Sequence, residues 1–178
     1  MCGYIGAISY KRDYKNIIQN ANKNLICRGP DNLSALNIND NLFINLIFNR
    51  LSILDLSESA NQPMISNHNS ILMFNGEIYN HLELRKHLQS KKVKFNTDHS
   101  DSEVVLNGLD SEGIKFIEKL RGQFAIFYLN RKNKKIYIAR DRLGQKPLYY
   151  KLENKEIFFS SNLKSLTFLT QDKSVDLD

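Results

Sequence analysis

Apolar residues recur in this chain first at strand spacing, then at helix spacing, then at strand spacing again, and that order points to an α+β layered sandwich. Gly3–Ser9 reads as a short apolar strand whose glycines let another backbone come close. Residues 13–26 place Ile17, Ile18, Ala21 and Leu25 on one helical face, until Arg28-Gly29-Pro30-Asp31 breaks the helix. Strands are expected near 34–38 and 42–48, with a polar loop over Ser57–Pro63. A buried strand over 70–74 is expected to stop at Asn75-Gly76, a pair suited to positive φ. Helices follow at 80–90 and 101–120, the second opening with Asp101, Ser102 and Glu103 and divided at Gly113. The last third reads as two hairpins, 124–129 with 136–139 and 148–152 with 156–160.

At 178 residues the chain fits one domain, taken as 1–168, with the polar residues 169–178 starting a linker. No apolar run reaches the roughly 18–20 residues of a membrane span, and the first residues lack the layout of a signal peptide. A cytoplasmic protein with no membrane partner is therefore expected. Two cysteines, Cys2 and Cys27, are too few for a disulfide framework and lack zinc-site spacing, so no metal is expected. The net charge of +6 raises the question of nucleic acid. Its local clusters, 91–94 and 131–135, fall where a strand entry and a hairpin turn are expected and carry no interleaved aromatic residue, so no nucleic-acid partner is expected.

A cysteine directly after the initiator methionine has a chemical consequence. Removal of Met1 would leave Cys2 with a free α-amine, whose ordinary pKa of about 7.7–8.0 suits it to take the thiol proton, so nucleophile and base share one residue. Arg50, after the apolar run Phe43–Phe48, could grip an α-carboxylate in a two-pronged pair. Asn75 and Gly76 offer a side-chain amide and a backbone N–H, the donors an oxyanion hole needs. Glu77 and Asp101 could hold an ammonium group. Each has a structural alternative: Arg50 as a surface ion pair, Asn75-Gly76 as a plain turn, and the two carboxylates as solvated or capping groups. Together they describe a site for an α-amino acid with a side-chain amide.

Several segments occur in an order that resembles the class II glutamine amidotransferase domain of the asparagine synthetase family. They are Met1-Cys2-Gly3, Arg28-Gly29-Pro30-Asp31, Arg50–Asp55, Gln62-Pro63, Asn75–Asn80, Ser100–Glu103 and Arg140–Tyr150. The resemblance implies a four-layered αββα sandwich of the N-terminal-nucleophile type that hydrolyses glutamine. It further implies that Cys2 is the nucleophile, that Asn75 and Gly76 form the oxyanion hole, that Arg50 takes the substrate carboxylate, and that Glu77 and Asp101 surround its α-amine. Arg140–Tyr150 matches a structural hallmark of that family and carries no catalytic step.

Three positions depart from the pattern: Cys27 where a histidine usually stands, Asn49 where a bulkier or charged residue precedes Arg50, and Asn162 in place of a glutamate. They put in doubt how the domain meets its partner. The Gly-rich phosphate loop of a synthetase domain is also absent from these residues, so no cofactor is expected here, and ATP and Mg²⁺ are expected only in a synthetase domain or subunit outside this chain. A homodimer is left open. Two alternatives stand beside this reading: an amidotransferase serving a sugar, peptide or nucleotide precursor, and a non-catalytic domain that senses glutamine or docks a partner.

Overall fold

The computed structural model describes residues 1–172 and Ser174; the remainder of the expected linker lies outside the described residues. In chain order the elements are β1 (Gly3–Ser9), α1 (Lys15–Asn22), β2 (Asn32–Asn39), β3 (Phe43–Arg50), β4 (Met64–Ile65), β5 (Ile71–Ile78), α2 (His81–Ser90), α3 (Asp101–Glu112), β6 (Gly122–Asn130), β7 (Lys135–Arg140), β8 (Tyr149–Glu153), β9 (Glu156–Ser160) and α4 (Leu163–Thr170). Short 3-10 helices occupy Ile26–Arg28, Glu58–Ala60 and Ile114–Lys119.

The chain divides into two compact units, one of Cys2–Leu51 with the chain from Pro147 onward, the other of Ser52–Lys146. The first holds an antiparallel sheet in the order β2-β3-β1-β9-β8. Every residue of β1 is buried, so the strand reads as continuous rather than alternating hydrophobicity. Ile5, Ala7 and Ile47 of this sheet pack with Ile18 and Ala21 of α1 and Leu166 and Leu169 of α4.

The second unit holds the sheet β4-β5-β6-β7, likewise antiparallel. Leu72, Phe74 and Ile126 of that sheet pack against Leu84 and Leu88 of α2 and Val104, Val105 and Leu109 of α3, with Phe116 closing the cluster. Each unit is thus a helix layer on one antiparallel sheet.

Local corrections have local causes. The helix expected over 13–26 ends at Asn22 and continues as turns. Lys91-Lys92 is the turn that leaves α2 rather than a strand entry, with Lys92 at φ 65°. The chain stays helical two residues past the expected boundary at 168 because α4 forms there, capped by Asn162, whose side chain accepts the Ser165 N–H at 3.1 Å. Asparagine is a good N-cap. The largest correction concerns Asn75-Gly76, which is no turn: β5 runs straight through it to Ile78, paired with β6 along its whole length, and neither residue has positive φ. Glycine is required at 76 for another reason. A Cβ there would lie 2.2 Å from the Gln123 carbonyl of β6.

Candidate active site

In the first unit, β1 and β3 bring Cys2 beside Arg50. Gly3 pairs with Asn49, and one step further the Leu51 N–H donates to Cys2 Sγ at 3.4 Å. The thiol of Cys2 is half-buried, while Cys27 is exposed on its 3-10 turn. Arg50 ends β3 and is 7% exposed.

The turn Arg28-Gly29-Pro30-Asp31 wraps this pair. Arg28 Nε donates to the Cys2 carbonyl at 3.3 Å, and the Asp31 N–H donates to the Arg50 carbonyl at 3.0 Å. Between them Gly29 lies so close to the Asn49-Arg50 peptide that a Cβ would sit 2.1 Å from the Asn49 carbonyl oxygen. Sequence reasoning gave this turn no role beyond ending a helix and carrying part of the family resemblance.

Asn49 is fully buried and forms a reciprocal amide pair with Asn22 of α1, donating at 2.6 Å and accepting at 3.3 Å, with a longer bond to the Gly3 carbonyl at 3.5 Å. Two buried amides that satisfy each other avoid the desolvation cost of either alone.

In the second unit, hydrogen-bond direction alternates along β5. The far side of β6 fixes the phase: Phe124, opposite Gly76, gives its N–H to Asp141 Oδ2 at 3.2 Å and receives the Asp141 N–H on its carbonyl at 2.8 Å. Phe124 therefore turns its polar groups away from β5, and Gly76 opposite it turns its own away from β6.

The even-numbered residues of β5 accordingly face the other edge. Leu72 meets β4, Phe74 exchanges bonds with the Gln62 side chain, and Ile78 gives its N–H to Asp101 Oδ2 at 3.1 Å and accepts from His81 Nδ1 on its carbonyl at 2.8 Å. The Gly76 N–H points out of this edge between two anchored neighbours. Beside it, Asn75 is 2% exposed, and its Nδ2 is buried with no hydrogen-bond partner among the described residues. An orphaned buried amide costs about 1–3 kcal/mol.

Glu77 is exposed, whereas Asp101 is buried at the start of α3, where Ser100 rather than Asp101 is the cap. Burial raises the Asp101 carboxyl above its ordinary pKa, opposed by the Ile78 N–H and the charge of His81. Asp101 is thus tied to β5 one residue past Glu77.

The structure brings together Cys2 with Arg50 in one unit, and Asn75, Gly76 and Glu77 with Asp101 in the other. Gln62 was missed as a structural participant. Its signal in the sequence was the Gln62-Pro63 segment, noted only for its resemblance; the peptide bond there is cis.

A family model described as a glutamine amidotransferase domain matches residues 1–178. The chain is 37% identical over 99% of its length to asparagine synthetase [glutamine-hydrolyzing] 1 of Bacillus subtilis, and 36% identical over 93% to a putative asparagine synthetase 2 of Methanocaldococcus jannaschii. It spans 28% and 35% of those two relatives. Among solved structures, a glutamine phosphoribosylpyrophosphate amidotransferase from B. subtilis, complexed with ADP and GMP, superposes with a TM-score of 0.74 at 17% identity, covering 94% of this chain and 43% of that one. That likeness is one of fold, an α+β architecture as expected from the sequence.

Proposed function

This chain belongs to the glutamine amidotransferase domain family, and from that premise we propose that it hydrolyses glutamine to glutamate and ammonia, the ammonia serving asparagine synthesis in a synthetase domain or subunit outside these residues. The observation that carries the reading is the buried, unpartnered Asn75 Nδ2 beside the outward-facing Gly76 N–H. Two donors held this way cost stability and repay it only when charge develops on an oxygen.

With Met1 removed, the Cys2 α-amine accepts the thiol proton and the sulfur attacks the side-chain carbonyl carbon of glutamine. The C–S bond forms as the carbonyl π pair moves to oxygen, where Asn75 and Gly76 donate to it. The leaving nitrogen takes the proton back from the α-ammonium as the C–N bond breaks, releasing ammonia and leaving a γ-glutamyl thioester. Water then hydrolyses the thioester, regenerating the thiol. Arg50 takes the substrate carboxylate, while Glu77 and Asp101 accept from its ammonium group.

A catalytic thiol needs a reducing setting, consistent with the proposed cytoplasmic location; neither cysteine is in a disulfide among the described residues, and no described helix is long and apolar enough to cross a membrane. In this proposal ATP and Mg²⁺ act only in the synthetase part, and nucleic acid has no role.

The test is to feed amide-labelled glutamine to the chain and follow glutamate, ammonia and asparagine separately, with ATP, Mg²⁺ and aspartate present. Glutamate and labelled ammonia without asparagine are expected. Glutamate no higher than in a Cys2→Ala control would overturn the reading.

A further inference from the structure

The β5 edge that holds the proposed oxyanion donors is completed by a side chain standing in for a strand. The neighbouring strand β4 is only two residues long and pairs with Ile71 and Leu72. Its register would carry the backbone of Gln62 opposite Phe74, but β4 begins only at Met64, two residues later. Without a substitute, the Phe74 N–H and C=O would be buried without partners on that side.

The Gln62 amide replaces the missing strand. Its Oε1 accepts the Phe74 N–H at 2.6 Å, and its Nε2 donates to the Phe74 carbonyl at 3.1 Å, the two-bond exchange of a paired strand residue. The second hydrogen of Nε2 reaches Ser102 Oγ at 3.3 Å. Gln62 itself is 5% exposed, so water cannot substitute for it.

One side chain therefore grips the residue before Asn75 and the residue after Asp101. We propose that Gln62 is a positioning residue, fixing the β5 edge so that the Asn75 amide and the Gly76 N–H hold the geometry an oxyanion demands, in register with Asp101 on α3. This rests on the glutaminase reading above and adds to it the device that sets its donors. Asp101 performs the matching task at Ile78, so the Gly76 N–H sits between two side-chain anchors drawn from outside the sheet. A displacement of about 1 Å in donors of this kind is enough to lose much of their effect.

Two variants separate positioning from general stability. Gln62→Glu keeps the size and the acceptor for Phe74 but loses both donors, setting a carboxylate oxygen against the Phe74 carbonyl. Gln62→Met keeps the volume and loses every bond. In both, kcat for glutamine hydrolysis is expected to fall at least tenfold with KM changed less than twofold. Inhibition by the γ-aldehyde of glutamate, which forms an oxyanion on Cys2, should weaken by the same factor as kcat. Alkylation of Cys2 by iodoacetamide should proceed at the parent rate, as it must if the fold and the nucleophile are intact. A merely structural role would leave the ratio of aldehyde inhibition to KM unmoved, and that result would overturn the proposal.

A second measurement does not depend on activity. Amide hydrogen exchange over 71–78 should accelerate in Gln62→Met by at least tenfold relative to the outer strand β7, and unchanged exchange there would also overturn the proposal. If the parent chain releases no glutamate, the glutaminase reading fails by itself, while the exchange result still decides whether Gln62 sets this strand edge.

Discussion

The backbone N–H of Leu51 points at Cys2 Sγ from 3.4 Å, directly after the arginine proposed to hold the substrate carboxylate. The nucleophile is thereby held from the same stretch of chain that recognises the amino acid. A shift of β3 against β1 would move both together.

That contact predicts which cysteine reacts. A diazoketone analogue of glutamine should label the peptide that begins at Cys2, and Cys27→Ala should leave the labelling intact, because Cys27 is exposed on a 3-10 turn with no tie to Arg50. Peptide mapping by mass spectrometry reads the outcome. Labelling that survives Cys2→Ala and disappears in Cys27→Ala would reverse the assignment.

Arg50 is buried at the end of β3, and its guanidinium can fork onto a carboxylate as an ammonium cannot. Arg50→Lys should raise KM for glutamine by the value of one charged hydrogen bond, about 1.5–3 kcal/mol, while kcat changes little. At about 1.4 kcal/mol per tenfold, that is roughly a ten- to hundredfold rise. Steady-state kinetics decides it, and an unchanged KM would remove Arg50 from the substrate site.

The reciprocal amides of Asn22 and Asn49 predict a non-additive pair. Asn22→Leu or Asn49→Leu alone strands one buried amide and should cost about 1–3 kcal/mol. The double variant removes both polar groups and should recover part of that loss. Urea denaturation of the four proteins gives the coupling energy. Strict additivity would mean that the two amides do not depend on each other.

A stability effect of pH is expected at Glu112. Hydrogen bonds from Lys119 at 2.5 Å, Lys91 at 2.6 Å and His87 at 2.7 Å outweigh burial and pull its carboxyl from 4.5 down to about 2. A depressed carboxylate contributes stability that is complete above its unfolded pKa and is lost as pH falls through the folded value. Glu112→Gln should therefore flatten the decline in stability between pH 4.5 and about 2 while leaving the curve's shape above that window unchanged. High salt should shrink the difference, because both lysines are about half exposed. Thermal unfolding across that range measures it.

Most of the order of strands and helices, β4 and α4 excepted, the hairpins over 122–140 and 149–160 and the break at Gly113 were legible in the sequence. Hydrophobic period and side-chain chemistry are local properties, so they travel with the chain whatever it packs against. Asn75-Gly76 shows where that ends. Locally the pair favours a turn, yet β6 pairs alongside it, Gln62 anchors the strand from 12 residues before Phe74, and Asp101 takes Ile78 from 23 residues beyond. The burial of Asn49 against Asn22 and the approach of Gly29 to the Asn49-Arg50 peptide are likewise decided by partners remote in sequence. The sequence by itself thus determined which donors and charges the protein possesses. Only the tertiary structure decided which of them are left unsatisfied and where they point, because hydrogen bonds and close approaches between distant segments leave no periodic trace in either one.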